Sequence, residues 1–259
     1  MSQSEWLKGG IFDAPPSSWR ELQDYVAQLF RELGYRDVQT PYKLQGLRTT
    51  KEIDVHAVDP SAVPPIRIAC ECKYWSSKVP QAVVLEFLSV LEDSGVNRGF
   101  IVSKIGFQSP GAYDAARNTA IVLVDFEELM QLFFDPWLIA MSVRLEKASA
   151  MLFPFFDIYG FETLPKLPQD KLKLFADLRH KYHVAFSLGT RLSAPNETPI
   201  SMGIIARNPQ VVEPLRELGI TTYRQFFDVL LSMAAEATKE FSSLFDVDPH
   251  TLRPSKNSG

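Results

Sequence analysis

Cysteine is scarce in this chain: two occur in 259 residues, Cys70 and Cys72, with one residue between them. Thiols so spaced along an extended segment cannot close a disulfide, and no third cysteine exists to pair with either, so no cross-linked scaffold is expected. Four scattered histidines and the lack of any Cys-X-X-Cys pattern argue against a structural zinc site. No apolar run reaches the length of a membrane span, and the opening MSQSEWLKGG has neither the basic nor the apolar block of a signal peptide. A cytoplasmic location with no membrane partner is therefore the expectation. Positive charge is not in excess either, since a formal net charge of −4 leaves no global basic field to draw the chain onto nucleic acid. Local basic groups and a metal ion can still hold phosphates in an acidic protein. With 46% hydrophobic residues, the chain can bury one large core or two small ones.

The most informative stretch is residues 51–74. Two short segments with apolar alternation, KEIDVHAV (51–58) and IRIACECK (66–73), flank a turn rich in proline. Read as strands of a hairpin, they alternate side chains between two faces. Ile53, Val55 and Ala57 then share one face and Glu52, Asp54 and His56 the other. In the second strand Ile66, Ile68, Cys70 and Cys72 oppose Arg67, Ala69, Glu71 and Lys73, with both cysteines assigned to the core. Asp54, Glu71 and Lys73 can meet across such a hairpin. Two carboxylates repel unless something positive lies between them, and their oxygens suit a hard divalent cation that keeps several waters. A lysine beside them can orient or deprotonate a water and offset charge developing on a phosphate. Glu52 reads as solvent-facing, and His56 as capping the sheet.

The flanks have the pattern of a mixed α/β domain. Ser18-Trp19-Arg20-Glu21 is a capping box, followed by an apolar stripe at Leu22, Tyr25, Val26, Leu29, Phe30 and Leu33 and a stop at Gly34. Residues 37–46 read as a first strand and 47–50 as a turn. Pro80 opens a helix with Val83, Val84, Phe87, Leu88 and Leu91 on one stripe, closed at Gly95. RGFIVS (98–103) reads as a covered central strand, residues 109–118 as a helix, 121–124 as a second buried strand, and Asp125 as the cap of FEELMQLFF.

An aspartate followed by a strand carrying Glu-X-Lys resembles the PD-(D/E)XK nuclease superfamily. More narrowly, IDV and ECK, with the flanking elements, resemble the Mrr-type restriction endonuclease domain over about residues 19–134. The resemblance implies a restriction-endonuclease-like αβββαβ core with a mixed central sheet. It further implies magnesium-dependent hydrolysis of DNA phosphodiesters, with manganese as the alternative ion, leaving a 5′-phosphate. Asp54 and Glu71 would hold the metal, the main-chain carbonyl of Cys72 would complete its shell, and Lys73 would position the water. Relatives often carry a glutamate where Gln23 stands, and an amide is a weaker ligand, so Gln23 is a supporting candidate; a polar residue opening the helix after the lysine is typical of the family, which makes Lys78 and Gln81 candidates for phosphate contact or site support. DNA is the implied partner, in restriction or another antiphage defence, with a homodimer or a defence-system protein as further partners. Two readings stay open beside it: a nuclease fold kept as a non-cutting binding module, and a nuclease acting on RNA.

The expected organisation is an N-terminal arm (1–18), the nuclease domain (19–135), a mainly helical C-terminal region (136–248) and a disordered tail (249–259). In the arm, Trp6, Ile11 and Phe12 are expected to dock on the domain. Within the C-terminal region the periodicity predicts helices over 137–151 and 170–182, an aromatic-rich packed connection over 153–161, a loop over 191–199, a strand over 202–206, and two helices between 211 and 245 separated at Gly219-Ile220-Thr221.

Overall fold

The computed structural model describes residues 7, 9–157, 164–191, 213, 215–248, 251 and 253. The chain divides into two compact units, Ile11–Trp137 and Met1–Gly10 together with Leu138–Gly259. The first contains α1 (Trp19–Glu32), β1 (Arg36–Gln39), β2 (Tyr42–Gln45), β3 (Thr50–Ile53), β4 (Val55–Asp59), β5 (Ile66–Lys73), α2 (Gln81–Ser94), β6 (Arg98–Ser103), α3 (Gly111–Ala116) and β7 (Ile121–Asp125). The helix α4 (Phe126–Ala150) begins in it.

Five strands form one mixed sheet in the order β1-β4-β5-β6-β7. β1, β4 and β5 pair antiparallel, and β5, β6 and β7 pair parallel. This is the restriction-endonuclease-like mixed α/β arrangement. α1 starts as its sequence predicts: Ser18 Oγ accepts from the amide of Glu21 at 3.2 Å. The glutamate reaches back one residue further than in a capping box, with Oε2 accepting from the amide and hydroxyl of Ser17 at 2.5 and 2.6 Å. Leu22, Val26, Leu29 and Phe30 are buried along the helix, and the Phe30 ring lies 6.3 Å from that of Phe100 in β6. The other face of the sheet carries α2, whose Val84, Phe87 and Leu91 join one buried cluster with Ile53, Ala69 and Ile101. Asp125 and Glu128 cap α4 reciprocally, each accepting from the other's amide at 2.8 Å. Ile11 is fully buried, and Phe12 stacks on Tyr25 at 4.1 Å; Trp6 lies outside the described residues.

Several sequence expectations are corrected. Residues 37–46 are two strands rather than one, separated at Thr40-Pro41, because proline cannot donate to a ladder. β2 leaves the main sheet and pairs with β3 in a separate two-stranded ribbon. KEIDVHAV is likewise two strands, interrupted at Asp54. Ile53 therefore packs with the α2 cluster, whereas Val55 pairs with Cys70, whose neighbour Phe100 faces α1. Ile53 and Val55 do not share a face. His56 is a buried ring stacked 4.3 Å from Tyr42, not an exposed cap. Helix α3 stops at Ala116, and Asn118 takes a positive φ of 60°. β7 is an edge strand with half-buried residues between its buried ones. α4 runs through Pro136 without ending, because the apolar positions Leu129, Met130, Trp137, Leu138, Met141 and Leu145 continue at helical spacing on both sides.

The second unit is helical where described. After α5 (Phe153–Phe156) and a short 3-10 turn (Gln169–Lys171) come α6 (Leu172–Arg191), longer than the predicted 170–182, and α7 (Tyr223–Phe245). They meet in an aromatic core, with Phe155 stacked on Phe241 at 4.8 Å and Phe175 edge-on to Phe245 at 5.4 Å. Thr222 caps α7 through Gln225, and Gly219 turns the chain before it with φ of +71°, so the corner there is an ordinary helix boundary. The loop expected over 191–199 loses Arg191 to the end of α6, and the rest of it, the strand over 202–206, the start of the helix from 211 and most of the tail lie outside the described residues. No helix among the described residues is long and apolar enough to cross a membrane.

One close approach fixes the spacing between α2 and the sheet. A Cβ at Gly99 of β6 would lie 2.5 Å from Leu91 Cδ1 and 2.7 Å from Phe87 Cε1. Gly99→Val is expected to cost about 1–3 kcal/mol by overpacking, read by urea denaturation. A change within about 0.5 kcal/mol would contradict that packing.

Candidate active site

The break between β3 and β4 sets Asp54 free of both ladders and turns its carboxylate to β5. Its Oδ2 accepts from the main-chain amide of Cys72 at 2.6 Å, and its Oδ1 from the side-chain amide of Gln23 in α1 at 2.6 Å. In an extended strand the amide and carbonyl of one residue point to the same edge, so the Cys72 carbonyl is directed to the Asp54 side as well. Glu71 and Lys73, on either side of Cys72, point to the opposite face from it and to each other: Lys73 Nζ lies 2.5 Å from Glu71 Oε2. The Lys73 and Glu71 side chains are 18% and 17% exposed, so this is a shielded ion pair rather than a surface one.

The structure thus brings Asp54, Glu71, Lys73, Cys72 and Gln23 together. It does not bring Lys78 or Gln81 into direct contact with them. Lys78 is exposed in the loop before α2, and the Gln81 side chain lies against Gly111 at the start of α3. Glu52 is exposed but lines a cleft of about 230 Å³ with Lys51, Glu71, Lys73 and Glu86. Glu86 of α2 went unnoticed in the sequence; its signal is a carboxylate set between Val83 and Val90 on the edge of an apolar stripe. Lys51 Nζ lies 3.9 Å from it. A neighbouring cleft of about 270 Å³ shares Lys51 and Glu86 but none of Asp54, Glu71 and Lys73.

Burial governs the charges. It raises the pKa of Asp54, against the hydrogen bond from Cys72 and the charge of Lys73, which lower it. Glu71 is raised too, by burial first and by the charge of Asp54, with Lys73 opposing. Burial alone would lower Lys73, but the charge and hydrogen bond of Glu71 together with Asp54 outweigh it, and its pKa is raised. Without a metal Lys73 is therefore held as an ammonium at neutral pH, suited to orienting a water or offsetting negative charge. Cys70 and Cys72 are free and buried, and a hydrogen bond between them, followed by burial, raises the Cys72 thiol well above its ordinary value. His56 is lowered, chiefly by burial, and stands in the fold as a neutral ring.

The donor set fits a hard divalent cation. Two half-buried carboxylates disfavour their own ionisation, and a cation between them would remove that penalty. Among the described residues no three His, Cys, Asp or Glu side chains enclose a metal, so two carboxylates, a carbonyl and water would make the shell, as is common for magnesium.

Residues 16–133 match the model of the Mrr catalytic-domain family, described as a restriction endonuclease. No curated protein matches the chain. A crystal structure of a protein of unknown function, AF1548, matches with a TM-score of 0.38 and 18% identity over 87% of this chain and 100% of that one; so weak a likeness decides nothing about fold or activity.

Two outcomes follow from the geometry. Gln23→Glu would set a second carboxylate against Asp54, lowering the metal-free stability by about 1–3 kcal/mol while enlarging the stabilisation that magnesium gives; thermal melts with and without the ion read both, and an unchanged metal-free melt would contradict the contact. The raised carboxylates also set a pH dependence. Asp54 and Glu71 hold protons more tightly folded than unfolded, so their contribution is full below the ordinary values of 3.8 and 4.5 and is lost as pH rises through the folded ones. Urea midpoints in chelator between about pH 4 and about pH 8 should show a falling component that Asp54→Ala diminishes.

Proposed function

Residues 16–133 belong to the Mrr-type restriction endonuclease domain family, and from that premise we propose that the chain is a magnesium-dependent DNA endonuclease, with manganese as the alternative ion. The observation that carries this reading is the convergence of Asp54, Glu71 and Lys73 at one interruption of the sheet.

In this mechanism Asp54 and Glu71, with the Cys72 carbonyl, would hold the divalent cation. When bound, it supplies Lewis-acid polarisation of the phosphate and a more acidic water. Gln23 and the Cys72 amide keep the Asp54 carboxylate in one orientation. Glu71 keeps the Lys73 ammonium in the cleft, where it orients the attacking water and offsets charge building on the phosphate oxygens. The product end would be a 5′-phosphate. One such site per chain favours a dimer for cutting both strands, and restriction or antiphage defence is the setting that the family supports. Under this reading residues 136–248 would recognise a modified base, a defence partner or a second protomer.

Nicking of methylated and unmethylated plasmid in magnesium is the test. The native chain should cut at least one of them, and Asp54→Ala and Lys73→Ala should each lose about a hundredfold or more in rate with unchanged circular dichroism. Native-level cutting by either variant would overturn the assignment. No cutting by the native chain would favour the non-cutting binding module, a reading to which the amide of Gln23 on Asp54 lends some support.

A further inference from the structure

The ribbon of β2 and β3 leaves the main sheet at Asp54, and the mechanism above makes no use of its outer face. Register sets Lys43 opposite Glu52 and Gln45 opposite Thr50 on one face, and Tyr42 opposite Ile53 and Leu44 opposite Lys51 on the other. The second face is turned in, with Leu44 and Ile53 buried in the cluster that includes Val84, Phe87 and Leu91 of α2. On the first, Lys43, Gln45, Thr50 and Glu52 are all exposed. Glu52 brings this row to the active-site cleft, which it lines with Glu71 and Lys73. At the far end the turn exposes Leu47, at 91%, and Arg48, whose side chain is 90% exposed.

The ribbon is braced from beneath. The Gly46 amide closes its turn by donating to the Thr49 carbonyl at 2.9 Å, and two further amides fasten the turn to the end of α2: Leu47 donates to the Asp93 carbonyl at 3.0 Å and Arg48 to Asp93 Oδ2 at 3.3 Å. Gly46 permits this approach, since a Cβ there would run into Asp93 Oδ2. On the outer face Thr50 Oγ1 donates to Gln45 Oε1 at 2.7 Å, and Gln45 Nε2 donates to the Gly46 carbonyl at 3.1 Å. The Gln45 amide is thus held in one orientation, with a second hydrogen and a second oxygen lone pair still able to bond.

The chemistry of the row selects what would cover it. An apolar partner would strand four hydrogen-bonding side chains, and a phosphate alone would meet the carboxylate of Glu52. An ammonium, an amide, a hydroxyl and a carboxylate together offer both donors and acceptors, which is what base edges require: lysine suits the acceptors of guanine, glutamine suits adenine, glutamate the amine of cytosine, and threonine either kind. The major groove, about 12 Å wide, admits a two-stranded ribbon and shows a distinct edge for each base pair. Charge lets the phosphate backbone lie alongside. Residues 38–51 contain no Asp or Glu and carry Lys43, Arg48 and Lys51. The acids facing them are Glu52, Asp93 and Glu86; Arg48 and Lys51 reach the last two only at 3.9 Å, in solvated pairs that hold a cation weakly.

We infer that the outer face of the ribbon enters the major groove of duplex DNA beside the cut, where Lys43, Gln45, Thr50 and Glu52 read base edges and Arg48 at the turn meets the backbone. This rests on the nuclease reading and deepens it, because it sets base preference in the same unit as Asp54, Glu71 and Lys73. Four residues of strand reach about 13 Å, so at about 3.4 Å per base pair the positions read lie within about four of the cut.

Binding selection by the full chain in chelator, where no cleavage occurs, tests it. The probe is duplex DNA carrying a random stretch of about 10 base pairs, one helical turn, and sequencing of the bound fraction reads the preference. The native chain should enrich its preferred bases about fivefold or more at adjacent base pairs, and sequenced ends of the same library cut in magnesium should put those pairs within about four of the cut. The double variant Gln45→Ala, Thr50→Ala should lose most of that enrichment with unchanged circular dichroism. Gln45→Glu, which replaces a donor with an acceptor, should change which base is preferred, and Val63→Ala, in the exposed turn between β4 and β5, should keep the native pattern. Arg48→Gln should lower the salt dependence of duplex affinity by about 0.9 in logarithmic slope. A native chain with no base preference or no duplex binding overturns the groove contact. So do a native pattern in the double variant, an equal loss of its affinity for every duplex, and an unchanged salt slope in Arg48→Gln. Plasmid nicking separates the two readings. Lys73-dependent nicking with a preference that ignores Gln45 and Thr50 removes the groove contact alone, and ribbon-dependent selection without any nicking removes the nuclease alone.

Discussion

The geometry of the first unit turns on the two hydrogen bonds that fix Asp54. A strand passing uninterrupted from residue 50 to 59 would keep its carboxylate on a sheet face, alternating with its neighbours. The break lets β3 leave with β2 as a separate ribbon and β4 enter the main sheet beside β5. At the gap, the Cys72 amide, which has no ladder partner there, finds one in Asp54 Oδ2. Main-chain satisfaction and placement of the functional carboxylate are one interaction. The other oxygen is held from α1 through Gln23, so the helix packed on one face of the sheet helps set the site while α2 walls the cleft on the other.

Burial here acts against charge, and the site answers it with pairing. Glu71 and Lys73 are shielded together and each needs the other, because removal of either would leave an uncompensated charge in a poorly solvated cleft. Asp54 has two neutral donors instead of a cation, which orient it without neutralising it. That residual demand for positive charge is what a divalent cation would meet. It is also why the overall acidity of the chain is no obstacle to holding phosphates: the relevant field is local.

Much of this was legible in the sequence because β5 states it twice. Its apolar residues occupy both faces, as a covered strand requires, and of the exceptions Arg67 stands at one end while Glu71 and Lys73 stand together at the other. Helices α1 and α2 announced themselves through caps and stripes. The ribbon was not legible: its strands have four residues each, too short for periodicity to separate them from their neighbours, and only Pro41 signalled the interruption. His56 was misjudged because the ring that covers it, Tyr42, arrives on that ribbon. Glu86 reaches the cleft through helix packing, which spacing within one segment cannot reveal. In the second unit the helices could be read from periodicity, but among the described residues no side-chain pattern there carries a chemistry.

Manganese binding followed by electron paramagnetic resonance in the native chain and in Asp54→Ala, with folding checked by circular dichroism, tests the central claim most directly. The account predicts a saturable manganese site in the native chain, displaced by magnesium and lost in the variant. Equal manganese binding by the two proteins would contradict it.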